Sequence, residues 1–143
     1  MKGRVLQQYL QPKPSEVEAE IVQKADDLDD LGAFGFLRGT HDRALMLELR
    51  HKDGTITAYP YAWLSKTRFN PSEGITLHFG TETVKISGRN LNAELRQHVR
   101  LFSGIVRHRV PWIQEADEPS AMEAPRSAVV IEKIDLKNSG LKP

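Results

Sequence analysis

Two hydrophobic periods follow one another along the chain. Val17, Ile21, Ala25 and Leu28 recur every three or four residues, the stripe of an amphipathic helix. Ser15 and Glu18 have the spacing of a capping box, directly after the helix-breaking run Gln11-Pro12-Lys13-Pro14. Together they predict a helix ending near Asp30. The stripe is narrow, and Asp26, Asp27, Asp29 and Asp30 crowd the negative end of the helix dipole. Such a helix needs support from the central part of the chain or from another subunit.

From Phe34 the period drops to two. Leu45, Leu47 and Leu49 alternate with Met46, Glu48 and Arg50, and Asp53-Gly54 is a strong hairpin signal leading to a return strand over Thr55–Tyr59. Pro60 breaks the ladder. Trp63–Phe69 forms a third strand, closed by Asn70-Pro71-Ser72-Glu73-Gly74, which is turn chemistry throughout. Gly74–Phe79 and Thr83–Ser87 alternate in the same way around Gly80. Leu91, Leu95, Val99 and Phe102 then return to a spacing of about four, predicting a helix that ends at Gly104. Arg107–Glu115 reads as a further strand, the segment from Ala116 to Ser127 as a linker, and Val129–Ile134 as a strand suited to a neighbour's sheet edge. Short strands lose their exposed edges by closing on themselves. The expected fold is therefore mainly β: a small five-stranded antiparallel barrel over residues 36–116, with a helix before its last strand. It is preceded by an N-terminal extension (1–35) carrying the acidic helix and followed by a linker and tail (117–143) with a strand over 128–134.

Charge sharpens this division. The 143 residues carry a net +1, yet residues 1–35 carry −3, residues 36–116 carry +5 and residues 117–143 carry −1. A basic centre thus lies between acidic flanks that can mask it. The chain has no cysteine, which excludes disulfides, zinc–thiolate and iron–sulfur ligation, and thiol catalysis. It has no apolar run long enough to span a membrane, and its start lacks the apolar segment of a signal peptide, so a cytoplasmic protein is expected.

No catalytic constellation can be assembled. His41, His51, His78, His98 and His108 lack metal-binding spacing, and the Asp26–Asp30 cluster lacks the glycine and distal glutamate of a calcium loop. No serine lies in a nucleophile elbow, no glycine-rich phosphate loop is present, and the proline in Asn70-Pro71-Ser72 excludes glycosylation. Arg38 and Arg43, ahead of Asn70-x-Ser72, lack the spacing of a cyclic-dinucleotide receptor barrel. The expectation is a non-enzyme with neither cofactor nor metal.

Binding is the stronger signal. Lys66 and Arg68 share one strand face, Lys85 and Arg89 flank another, and Arg107-His108-Arg109 is a basic run. Tyr59, Tyr61 and Trp63 nearby complete the mixture of cations and stacking rings that holds single-stranded nucleic acid, although rings at these positions serve equally well as core. The segment Val84-Lys85-Ile86-Ser87-Gly88-Arg89-Asn90-Leu91 resembles the second motif of the Sm-like family, in which an apolar strand ends in a basic–Gly–x–Asn–apolar turn. Gly74-Ile75-Thr76-Leu77-His78-Phe79 is similar to a strand of small bacterial and phage proteins of this kind. The resemblance implies a strongly bent Sm/SH3-like barrel, ring-forming homo-oligomers, and RNA contacts at Gly88, Arg89 and Asn90. The same glycine and asparagine also suit a turn with a purely structural purpose. Two functions are therefore expected to compete. One is an oligomeric RNA binder using Lys66, Arg68, Gly88, Arg89, Asn90, Arg107 and Arg109. The other is an assembly module that recruits proteins through its N-terminal helix or C-terminal strand.

Overall fold

A computed structural model describes residues 28–39 and 41–138. Among these residues the protein is mainly β, with nine strands in three sheets and two short helices. The predicted helix lies outside the described residues as far as Asp27. Its expected last turn is instead the strand β1 (Leu28–Asp30), paired antiparallel with β2 (Gly35–Leu37). Asp30 does not end a helix. Its Oδ1 accepts from the Gly32 amide at 2.9 Å, and Gly32 has φ +83°, so the two residues turn the hairpin.

The Asp53-Gly54 hairpin forms as the sequence indicates. β3 (Met46–Arg50) pairs with β4 (Ile56–Pro60), and Asp53 Oδ1 accepts from the Thr55 amide at 2.8 Å. Pro60 then leads into a 3-10 turn, Tyr61–Trp63, that carries the chain out of this sheet. β5 (Leu64–Asn70), β6 (Gly74–Phe79) and β7 (Glu82–Arg89) form an antiparallel meander in a second sheet.

The two sheets do not close into the expected five-stranded barrel. The strand expected last in the barrel pairs with β3 alone, and the tail strand joins the other sheet. β8 (Trp112–Gln114) adds to β3 in parallel, giving the order β4-β3-β8. β9 (Val130–Asn138) adds antiparallel to β7, giving β5-β6-β7-β9. The C-terminal strand predicted for a neighbour's edge therefore completes a sheet of its own chain. Glu115 fastens it there: its buried carboxylate accepts from the Lys52 amide (2.8 Å) and from the Ile134 amide (2.6 Å), using both oxygens.

Between the sheets, Phe34, Leu47, Leu49, Leu77, Phe79, Val84, Ile86, Ile113 and Ile131 are fully or almost fully buried. Tyr59 and Tyr61 belong to this core. The Tyr59 ring stacks on Phe79 at 4.8 Å while its hydroxyl donates to Glu82. The Tyr61 ring stacks on His108, and its hydroxyl donates to the Val110 carbonyl at 2.7 Å.

The predicted helix over 91–102 is absent. Leu91 and Val99 are buried, but they sit on an irregular segment that hugs the core, and α1 spans only Leu101–Val106. A tight turn intervenes, with the Leu95 amide bonded to the Val99 carbonyl, the Val99 amide to the Arg96 carbonyl, and His98 at φ +65°. A spacing of four therefore reported burial and not helical winding. Gly104 does not terminate the helix either. It lies within α1, where an added Cβ would stand 2.9 Å from both Phe36 and Val110. The Arg107–Glu115 strand is shortened to β8, because His108 turns with φ +59°. The linker contains α2 (Glu118–Glu123), capped by Asp117, which accepts from the Ser120 amide at 2.9 Å.

Candidate anion-binding groove

The residues singled out for nucleic-acid binding fall into three separate places. Gly88, Arg89 and Asn90 are occupied within the molecule. Ser87 and Gly88 form a bulge where β7 meets β9, and a Cβ on Gly88 would lie 1.9 Å from the Val130 carbonyl oxygen. Arg89 donates to the Ala121 carbonyl at the end of α2, and its Nε stands 3.8 Å from Glu132. Asn90, at φ +57°, donates from Nδ2 to the carbonyls of Arg126 (2.6 Å) and Ala128 (2.8 Å). The turn thus clamps the C-terminal arm. Beside it is a hollow of about 490 Å³ whose described lining includes Glu73 and Glu132 and no lysine or arginine. An anion would be repelled there.

Lys66 and Arg68 are exposed on β5, opposite His78 and Thr76 of β6. The helix α1 packs beside β5 through Phe69 and Phe102, whose ring centroids are 6.1 Å apart.

Arg107 and Arg109 lie at the other side of α1, in a groove of about 500 Å³ that also takes in Arg38 and Arg96. Arg38 directly follows β2, Arg96 projects from the tight turn before α1, and Arg107 is the C-cap of α1. Three stretches far apart in sequence therefore deliver four guanidinium groups to one place. Asp29 of β1 is the carboxylate among the described lining residues. Its Oδ1 lies 2.9 Å from Arg38 Nε and its Oδ2 lies 3.0 Å from Arg96 Nη1, with the aspartate side chain only 10% exposed. Arg109 is anchored, donating to the carbonyls of Leu37 (2.9 Å) and Gly39 (2.8 Å). His98 completes the rim. Its backbone is held in the left-handed region, where its amide donates to Glu94 at 2.9 Å. Phe36 and Val99 supply an apolar floor.

Four arginines and one aspartate leave the groove at +3. Guanidinium groups present paired donors in a plane, the geometry that phosphate and carboxylate oxygens accept. A second, smaller hollow of about 140 Å³ lies between Lys66 on β5 and Val106 and His108, the two neighbours of Arg107. Among the described residues no three His, Asp or Glu side chains gather to hold a metal ion, and no helix is long and apolar enough to cross a membrane.

Sequence reasoning picked out Arg107 and Arg109 but not Arg96, His98 or Asp29. Arg96 and His98 read as the polar side of a helix that does not form, and Asp29 as one acidic residue in a run. No local pattern marks them, because they meet only through tertiary packing. Of the three candidate stacking rings, Tyr59 and Tyr61 are buried and Trp63 is 59% exposed. Compared with known protein families, with curated proteins and with solved structures, the chain matches none.

Proposed function

We propose that the chain is a non-catalytic binding protein that holds single-stranded RNA along the arginine-rich side of α1. The observation supporting this reading is the arginine-lined groove on one side of α1, with a smaller hollow on the β5 side of the same helix. The larger carries Arg38, Arg96, Arg107 and Arg109, and the smaller carries Lys66. Arg68 lies two residues beyond Lys66 on the same exposed face of β5. A groove of about 500 Å³ accepts a single nucleotide and is too small for a duplex. Arginine supplies paired contacts to each phosphate, and the apolar floor of Phe36 and Val99 offers a surface for a base.

The test is an anisotropy titration of labelled single-stranded RNA with the full chain over a range of salt concentrations. Binding that uses about four phosphates gives a slope of roughly −3 in log affinity against log salt. No affinity at low salt overturns the reading.

A second reading, assembly, has its own observation. Leu45 (85% exposed), Met46 and Trp63 stand at one end of the β3–β4 pair, where Met46 is opposite Pro60 and the Leu45 carbonyl accepts from the Tyr61 amide. A homo-oligomer formed there would separate into monomers on Trp63→Glu, as measured by light scattering. An unchanged mass removes this surface from the interface.

A further inference from the structure

We infer that the groove is the seat of a terminal phosphomonoester, so that the protein recognises the end of a strand and not only its backbone. This deepens the RNA-binding reading and rests on it.

Charge density in the groove favours a terminal group. A track for internal phosphodiesters needs about one cation for each monoanionic phosphate, spread along the strand. Here the cations are distributed unevenly. Four guanidinium groups face one space of about 500 Å³, whereas the smaller hollow beside β5 has Lys66 as the one lysine or arginine among its described lining residues. Asp29 already neutralises one charge, leaving +3. An internal phosphodiester would reduce that only to +2. A phosphomonoester carries close to two negative charges at neutral pH and three terminal oxygens, and leaves about +1.

The arrangement is also prepared in advance. Asp29 spans Arg38 and Arg96 from its two oxygens, and the Leu37 and Gly39 carbonyls hold Arg109. Binding therefore orders few additional side chains. Arg107, exposed at the end of α1, lines the groove and is placed to close over the phosphate.

The experiment titrates the full chain with one RNA 12-mer in three forms: 5′-phosphorylated, 3′-phosphorylated, and hydroxyl at both ends. One phosphorylated form should bind about tenfold more tightly than the hydroxyl form, the effect of one extra charge-assisted contact set. Arg107→Ala should abolish that preference, while Lys66→Ala should weaken all three forms by the same factor. Equal affinity for the three forms overturns the inference and leaves the strand-binding reading in place. Absence of binding to all three overturns both. Adenosine 5′-monophosphate as competitor isolates the phosphate seat: it should displace the preferred form, whereas adenosine, which lacks the phosphate, should not.

Discussion

The Gly88-Arg89-Asn90 turn and the groove beside α1 each border a hollow of nearly the same size, about 490 and 500 Å³, and each has arginine nearby. They differ in what the arginine faces. Arg89 turns to the Ala121 carbonyl and Glu132 of its own chain, and its hollow has two glutamates in the described lining. Arg38, Arg96 and Arg107 face an open space with one aspartate between them. A short motif of the right residue types is thus absorbed in holding an arm, while the surface suited to an anion is built from positions that form no motif. A charged side chain serves a ligand only through the donors that the fold leaves facing an open space.

The sharpest way to break this comparison is to damage the clamp and ask whether RNA binding survives. Gly88→Ala forces a Cβ to within 1.9 Å of the Val130 carbonyl and should cost about 3 kcal/mol, seen as a drop of roughly 10 °C in the melting midpoint. Should the midpoint stay where it is, β9 does not approach β7 as closely as described. The double substitution Arg96→Ala/Arg107→Ala should do the reverse, weakening single-stranded RNA binding at least tenfold while leaving the midpoint within a few degrees. If Arg89→Ala loses as much affinity as that pair, the turn contacts RNA after all and the distinction fails.

Asn90 offers a finer test, because it combines two donated hydrogen bonds with a positive φ. Asn90→Ala should destabilise by about 2 kcal/mol in urea titration, and Asn90→Gly by less, since glycine relieves the backbone strain but not the lost bonds. Equal losses would place the whole effect in the hydrogen bonds.

The core between the two regions should respond to alkali. Burial, together with the bond to Glu82, pushes the Tyr59 hydroxyl up to about 12. An unfolded tyrosine ionises near 10. The native state therefore keeps its full advantage below about pH 10 and loses stability as the pH rises from there toward 12. Tyr59→Phe should flatten that part of the stability curve, followed by denaturant midpoints between pH 9 and 12; an unchanged slope would assign it to other groups.

The smallest effect is expected at Asp29. Asp29→Asn removes the negative charge between Arg38 and Arg96 and should raise RNA affinity by a few fold. A fall in affinity would show that the carboxylate chiefly orients the two arginines.

Much of the strand layout was determined by the sequence alone. Alternation over Leu45–Arg50, Gly74–Phe79 and Thr83–Ser87, with Asp53-Gly54 and Gly80 as turns, located β3, β4, β6 and β7 to within a few residues, because a half-buried strand imposes a period of two and tight turns demand particular residues. Charge by segment likewise located the basic centre. Tertiary structure decided the rest. Local periodicity does not say which edge a strand joins, and the addition of β8 to β3 and β9 to β7 replaced a closed barrel with three open sheets. Nor does it separate a helix from an irregular segment that buries Leu91 and Val99 at similar spacing. The groove is the extreme case. Asp29, Arg38, Arg96 and Arg107 are spread over nearly eighty positions, and only the packing of β1–β2 against α1 and the turn before it brings their charges within reach of one anion.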